Sequence, residues 1–276
     1  VSRSPLKLLK NTSFQDYQYL KWLDLSNNDI SDIQDGTFEN LRYLKQLNLG
    51  ENKIRTVSAS MFKGLVSLEK LDLRFNDLKA LPRGVFKPLK SLRELFLHDN
   101  RNMGSRIEEG AFNGLDNLRK LHVSATGMKK ITQGTFGSLM SLEFLDVLHI
   151  NNNSLTTVPL HALRKVKFLK ELDLSANLIS YVSSTAFANN SKLQKLLLHN
   201  NTIRLIHEDA FSQLKGLRAL FLRGNPFQCD CQLNGFHAWL RNNQYLVNFN
   251  GHMYCMTPDK LTGRDLLELS SSDLKC

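Results

Sequence analysis

Residues 1–228 of this 276-residue chain contain no cysteine; the four cysteines stand at 229, 231, 255 and 276. A disulfide framework along the whole chain is thereby excluded, as is a matching cysteine cluster near its start. A structural zinc site is the rival reading of these cysteines and is disfavoured, because C-x-C followed by long gaps lacks the paired C-x2-C geometry such sites use. No metal is expected. Also missing is any apolar run of membrane length, so this segment is not expected to insert into a bilayer. A glycine-rich phosphate loop, an HExxH motif and a Ser-His-Asp grouping on one surface are all absent, and HED at 207–209 reads as solvated surface. These absences leave no catalytic residues and no cofactor to expect.

Repetition is what the chain has in abundance. Leucines that begin LxxLxL stand at 20, 44, 68, 92, 118, 142, 169, 193 and 217, at spacings of 24, 24, 24, 26, 24, 27, 24 and 24. A period of about 20–29 residues with L-x-x-L-x-L-x-x-N-x-L is the leucine-rich-repeat pattern. It reads here as LKWLDLSNNDI, LKQLNLGENKI, LEKLDLRFNDL, LKELDLSANLI, LQKLLLHNNTI and LRALFLRGNPF. The expected fold is an α/β solenoid: a curved parallel sheet on the concave face, an irregular or 3-10 convex side, and a stapled cap.

The pattern has a physical cause. Leucines two apart on a short strand point one way and the residues between them the other, and no repeat can bury its apolar side alone. Asn28, Asn52, Asn76, Asn100, Asn153, Asn177, Asn201 and Asn225 follow the strands where the chain turns inward. Buried turns leave backbone groups in need of partners, and an amide, donor and acceptor at once, can bridge neighbouring turns. Phe14, Phe38, Phe62, Phe86, Phe112, Phe136, Phe187 and Phe211 form a second apolar column, with Leu163 replacing one ring. Thr126 alone breaks the asparagine ladder. Its neighbours are the repeats of unusual length, one bearing NRNMGSR at 100–106 and the other LEFLDVLHINNNSL, where two overlapping frames put either Leu148 or His149 on the concave side.

After the last asparagine the chain runs NPFQCDCQLNGFHAWLRNN and closes YCMTPDKLTGRDLLELSSSDLKC. An even set of cysteines at one end reads as a disulfide staple in an oxidising compartment. Four cysteines permit three pairings, and spacing does not choose among them. Leu233, Phe236 and Leu240, with Trp239, have helical spacing suited to covering the last repeat. The division expected is 1–225 for the repeats, starting inside a truncated repeat, and 226–276 for the cap.

These 24-residue repeats, with NPFxCxC, FxxWL, YCxTPxxLxGxxL and a terminal cysteine, resemble extracellular leucine-rich-repeat proteins with a cysteine-rich C-terminal cap, as in Toll-like receptor ectodomains, Slit-type guidance proteins and variable lymphocyte receptors. The resemblance implies the pairs Cys229–Cys255 and Cys231–Cys276. It implies a non-catalytic extracellular recognition module, either the ligand-binding ectodomain of a Toll-like innate immune receptor or a Slit-like adhesion, guidance or matrix module that binds a protein partner or a sulfated glycan. Secretion, the cell surface or the endosomal lumen would all suit it. The family's N-terminal cysteine cap is missing, so upstream residues are expected to precede a mature or truncated ectodomain. Asn11, Asn152, Asn189 and Asn200 carry the N-x-S/T glycosylation pattern, with Asn189 best placed.

Residues pointing outward from the strands line the concave face. Arg74, Phe75, Phe96, His98, Lys120 and His122 fall on three consecutive strands and are expected to form one patch. Lys195, Leu197, His199, Phe221 and Arg223 form a second near the C-terminal end. Aromatics and arginine are what interface hot spots favour. The chain carries +10, and since residues 226–276 hold four Lys/Arg against five Asp/Glu, the repeats carry +11. Expected partners are therefore a protein or a microbial or other anionic glycan on the concave face, with nucleic acid among the admissible polyanions and a homodimer among the admissible assemblies. The irregularities around Thr126 are expected to mark the recognition site or a dimer contact.

Overall fold

The computed structural model describes residues 6–104, 106–131, 134–136, 145–164, 166–247 and 251–276. Leu142 and Ser105, both used above, lie outside them. The chain forms two compact units, Val1–Val147 and Leu148–Cys276.

In the first unit the strands Trp22–Asp24, Gln46–Asn48, Lys70–Asp72, Glu94–Phe96 and Lys120–His122 pair in parallel in chain order. The register sets Leu23, Leu47, Leu71, Leu95 and Leu121 side by side, each buried. Period-2 alternation explains it: the leucine goes in and both its neighbours go out. Asn76 shows how the inward turns are satisfied. Its Nδ2 donates to Leu49 O at 2.9 Å and Leu73 O at 3.1 Å, and its Oδ1 accepts from Ile54 N at 3.0 Å. The residue before each ladder position adopts a left-handed conformation, from Asn27 (φ 55°) to Ala125 (φ 50°). Opposite the strands the chain makes successive turns, and rings stack behind them, Phe62 on Phe86 at 5.8 Å and Phe86 on Phe112 at 6.2 Å.

The second unit repeats the scheme with Glu171–Asp173, Lys195–Leu197 and Ala219–Phe221. A short helix, α1 (Leu160–Leu163), brings Leu163 into the core in place of a phenylalanine. The unit boundary falls inside the strand Val147–His149, where the structure also settles the frame. Leu148 is buried and His149 faces outward, because Ile150 N donates to Asp173 O as Leu174 N does to Leu197 O. The strand-leading leucine is therefore Leu145. The three extra residues belong to the Thr126 repeat itself, between Leu118 and Leu145, and not to the one after it.

Beyond Asn225, Phe227–Gln228 pairs with Cys255–Thr257, and helix α2 (Asn234–Asn242) buries Phe236 and Leu240. Phe236 and Trp239 lie 6.1 and 5.2 Å from the Phe211 ring, so α2 closes the phenylalanine column. Burying Phe236 and Leu240 contributes about 1.5–3 kcal/mol apiece. Cys229 is bonded to Cys255 and Cys231 to Cys276. These disulfides belong to an oxidising, extracellular setting. Among the described residues no helix is long and apolar enough to cross a membrane.

Candidate recognition groove

The outward residues of the first unit surround a groove of about 600 Å³. Trp22, Asp24 and Asn48 line one end of the strand series, and Lys70, Arg74, Phe96, His98 and His122 the other. Each sits where strand alternation puts it, one place from a buried leucine.

The aromatic end is a single cluster. Phe96 and His122, cross-strand partners, have ring centroids 4.7 Å apart. His98 stands 6.2 Å from each of them, and Phe75 meets His98 edge-on at 5.8 Å. Phe75 is held outward by its left-handed backbone (φ 50°) and is 48% exposed. The Lys70 ammonium lies 5.1 Å from the Phe96 centroid, within reach of a cation–π interaction.

The charges around this cluster are already engaged. Lys120 Nζ is 2.9 Å from Glu94, which Lys70 approaches at 4.0 Å. Arg74 Nε is 3.3 Å from Asp72 Oδ2, and Asp72 is 7% exposed. At the acidic end, burial pushes the Asp24 carboxyl up. The hydroxyl and backbone N–H of Ser26 and the side chain of Asn48 outweigh that and hold its pKa below the usual carboxylate value. Asp24 is thus a fixed anion near neutral pH.

Of the residues expected to form the first patch, Phe75, Phe96, His98 and His122 come together as rings, while Lys120 and Arg74 are held at the margin by carboxylates. In the second patch Leu197 and Phe221 are cross-strand partners, with His199 against the Phe221 ring. Lys195 and His149 share Glu171, at 3.2 and 3.1 Å, and those bonds hold the Glu171 carboxyl below its ordinary pKa although burial pushes it up. His199 packs 6.3 Å from Phe221, and burial first, then Arg223, lowers its pKa against the pull of Asp173. The turn Gln244–Leu246 packs beside Ala219–Phe221. Trp22, 71% exposed on its strand, belongs to the groove and was missed in the sequence, although its outward position could have found it. His149 was missed because the frame was open.

Thr126 is fully buried, and its hydroxyl donates to Val123 O at 3.1 Å. The repeat before it explains the substitution. Elsewhere the second residue after the ladder asparagine is the apolar one, as Ile54 follows Asn52; after Asn100 that place passes to Met103. The lengthened turn presents Gly104 N to the backbone oxygen of Thr126 at 2.6 Å. Gly127 packs under it, where a Cβ would come 2.8 Å from Arg101 O.

Of the sequon asparagines, Asn11, Asn152, Asn189 and Asn200 are all exposed. Asn152 and Asn200 occupy left-handed positions (φ 53° and 55°). Asn189 precedes buried Asn190, whose amide donates to Leu163 O and Val166 O.

Comparison with known proteins fits this architecture. The family described as Leucine rich repeat matches residues 18–78, 67–128, 116–179, 144–200 and 169–227. Trophoblast glycoprotein of Mus musculus is 40% identical over 52 residues, 19% of this chain and 12% of that protein; the Homo sapiens protein is 38% identical over the same span. The chain thus matches only about an eighth of these relatives' length. The crystal structure of human 5T4 (Wnt-activated inhibitory factor 1, trophoblast glycoprotein) superposes with a TM-score of 0.74 and 27% identity, covering 86% of this chain and 88% of that one. An octameric complex of Latrophilin 3 (Lec, Olf), Unc5D (Ig, Ig2, TSP1) and FLRT2 (LRR) contains a chain with a TM-score of 0.70 and 28% identity, covering 92% of this chain and 82% of that one.

Proposed function

The chain belongs to the leucine-rich-repeat family, and from that premise we propose that it is the protein-recognition module of an extracellular adhesion or guidance protein, its partner seated on the groove of the first unit. The observation that carries this reading is the Phe75–Phe96–His98–His122 cluster, apolar and aromatic at the centre with neutralised charges around it. Interface hot spots are built this way, with anchors at the centre and a polar rim that excludes water.

Support for a protein partner comes from the FLRT2 leucine-rich-repeat region, which shares its complex with two other proteins, Latrophilin 3 and Unc5D. The Toll-like reading, sensing of a microbial or danger ligand, has the cap motif behind it but no counterpart among these neighbours. N-glycans on Asn189, and on Asn11, Asn152 and Asn200, belong to the same extracellular proposal.

The test is a panel of soluble ectodomains, including latrophilin and Unc5-type proteins and the chain itself. Each is measured against wild type and a Phe96→Ala/His98→Ala/His122→Ala variant. A partner on this groove should bind the variant at least tenfold more weakly, since removing a buried anchor costs about 2 kcal/mol or more. Unchanged affinity of every partner found would remove the groove from the interface.

A further inference from the structure

The second unit carries a surface the groove does not account for. Three stacked segments, 166–170 with Arg164 before it, 188–194 and 212–218, lead into the strands Glu171–Asp173, Lys195–Leu197 and Ala219–Phe221, and contain no Asp or Glu. Arg164, Lys167, Lys192, Lys215 and Arg218 are exposed on them. Among the described residues none of these five is paired with a carboxylate.

The segments form one flank. Asn190 Nδ2 donates to Leu163 O and Val166 O, Gln194 N to Lys170 O at 2.8 Å, and Arg218 N to Gln194 O at 2.8 Å. A Cβ on Gly216 would lie 3.3 Å from Ser191 O, so the third turn rests on the second. Parallel neighbours are spaced about 4.8 Å apart, and the cationic rows therefore span roughly 10 Å along the stack. The equivalent flank of the first unit is interrupted by acids. There Glu39 takes Lys63 at 2.6 Å, and Glu69 takes Lys45 at 2.8 Å with Arg93 at 3.9 Å. The first unit thus mixes matched cations with free ones such as Lys87 and Lys90, whereas on the second unit all three segments are free of acids.

We propose that this flank of the second unit is a binding site for a sulfated polysaccharide chain. Closely spaced, unpaired cations on a rigid stack match a polymer whose sulfates recur along a flexible backbone, and neutralising them releases its counterions. An extracellular segment meets that polymer in place of the anionic lipids concentrated on the cytoplasmic leaflet. Phe168, 44% exposed, is the one large apolar side chain exposed among the described residues of the flank. Single-stranded nucleic acid binding relies on series of stacked aromatics, which this strip lacks.

The experiment measures binding of the secreted chain to a size-defined heparin oligosaccharide as a function of salt. Wild type is compared with Lys192→Glu/Lys215→Glu/Arg218→Glu and with Lys79→Glu/Lys87→Glu/Lys90→Glu, an equal charge change on the first unit. The first variant should lose at least tenfold in affinity at physiological salt and show a shallower salt dependence, while the second and the groove triple-alanine variant stay within about threefold of wild type. Circular dichroism melting of each variant guards against loss by misfolding. Equal loss in both glutamate variants would mean diffuse charge and overturn the site. So would wild type binding single-stranded DNA of matched charge, or phosphatidylserine vesicles, as tightly as heparin.

Discussion

Asn76 does with one amide what no apolar residue in its place could do. It is 6% exposed, and it ties the backbone of its own repeat to the repeats before it through Leu73 O, Leu49 O and Ile54 N. Removing it leaves the buried Ile54 N–H unsatisfied, at about 1–3 kcal/mol, and takes one amide donor each from Leu49 O and Leu73 O, which keep those of Asn52 and Asn100. Asn76→Ala is therefore expected to destabilise the chain by about 3 kcal/mol in urea unfolding. Thr126→Val removes a single hydroxyl donor and should cost about 1 kcal/mol; a cost equal to that of Asn76→Ala would show that Thr126 carries the ladder after all. The missing asparagine is legible in the sequence, but its cause is not. The turn after Asn100 is lengthened, Met103 takes the apolar place, and Gly104 N reaches the Thr126 backbone, so the amide's usual partners have moved.

At the scale of elements, helix α2 joins the cap to the last ring of the core through Phe211, Phe236 and Trp239. It also buries His237, which is 1% exposed. Burial, then Arg241, pushes the His237 pKa down, although backbone hydrogen bonds to Leu266 and Leu269 and the Asp273 charge pull it up. A histidine whose folded pKa is depressed binds fewer protons folded than unfolded. Its stabilising contribution is present above about pH 6.5 and is lost as pH falls below that value. Melting temperature is therefore expected to drop between pH 7.5 and pH 5.5, and the drop should shrink in His237→Gln; an undiminished drop would assign the acid sensitivity elsewhere. The helix itself follows from the spacing of Phe236 and Leu240. What the sequence left open was the strand at 147–149, since LEFLDVLHI satisfies two leucine frames and only the bond from Ile150 N to Asp173 O selects one.

For the molecule as a whole, the disulfides close loops over sequence separations of 26 and 45 residues. Closing loops of that size constrains the unfolded chain by about 3–4 kcal/mol apiece on an entropic account. Cys231→Ser/Cys276→Ser is thus expected to lower stability by about 3 kcal/mol and to expose Phe211 and Trp239, seen as a red-shifted tryptophan emission at lower urea. An unshifted unfolding curve would show that packing of α2 alone holds the cap. The sequence by itself determined the repeat, the inward leucines, the asparagine and phenylalanine columns and the outward faces of most strands. All of these are periodic, and a period of two within a strand and about 24 between strands leaves one arrangement that buries the central leucine of each strand. Tertiary structure alone decided which outward residues act together. Lys120, Arg74 and Lys195 look available in the sequence but are held by Glu94, Asp72 and Glu171. Trp22 and Asp24 join Phe96 and His122 around one groove. Apart from Asp72 with Arg74 and Phe96 with His98, these charge pairs and ring contacts run between repeats, across 22 residues of sequence or more, and no local pattern encodes which partner a side chain will meet there.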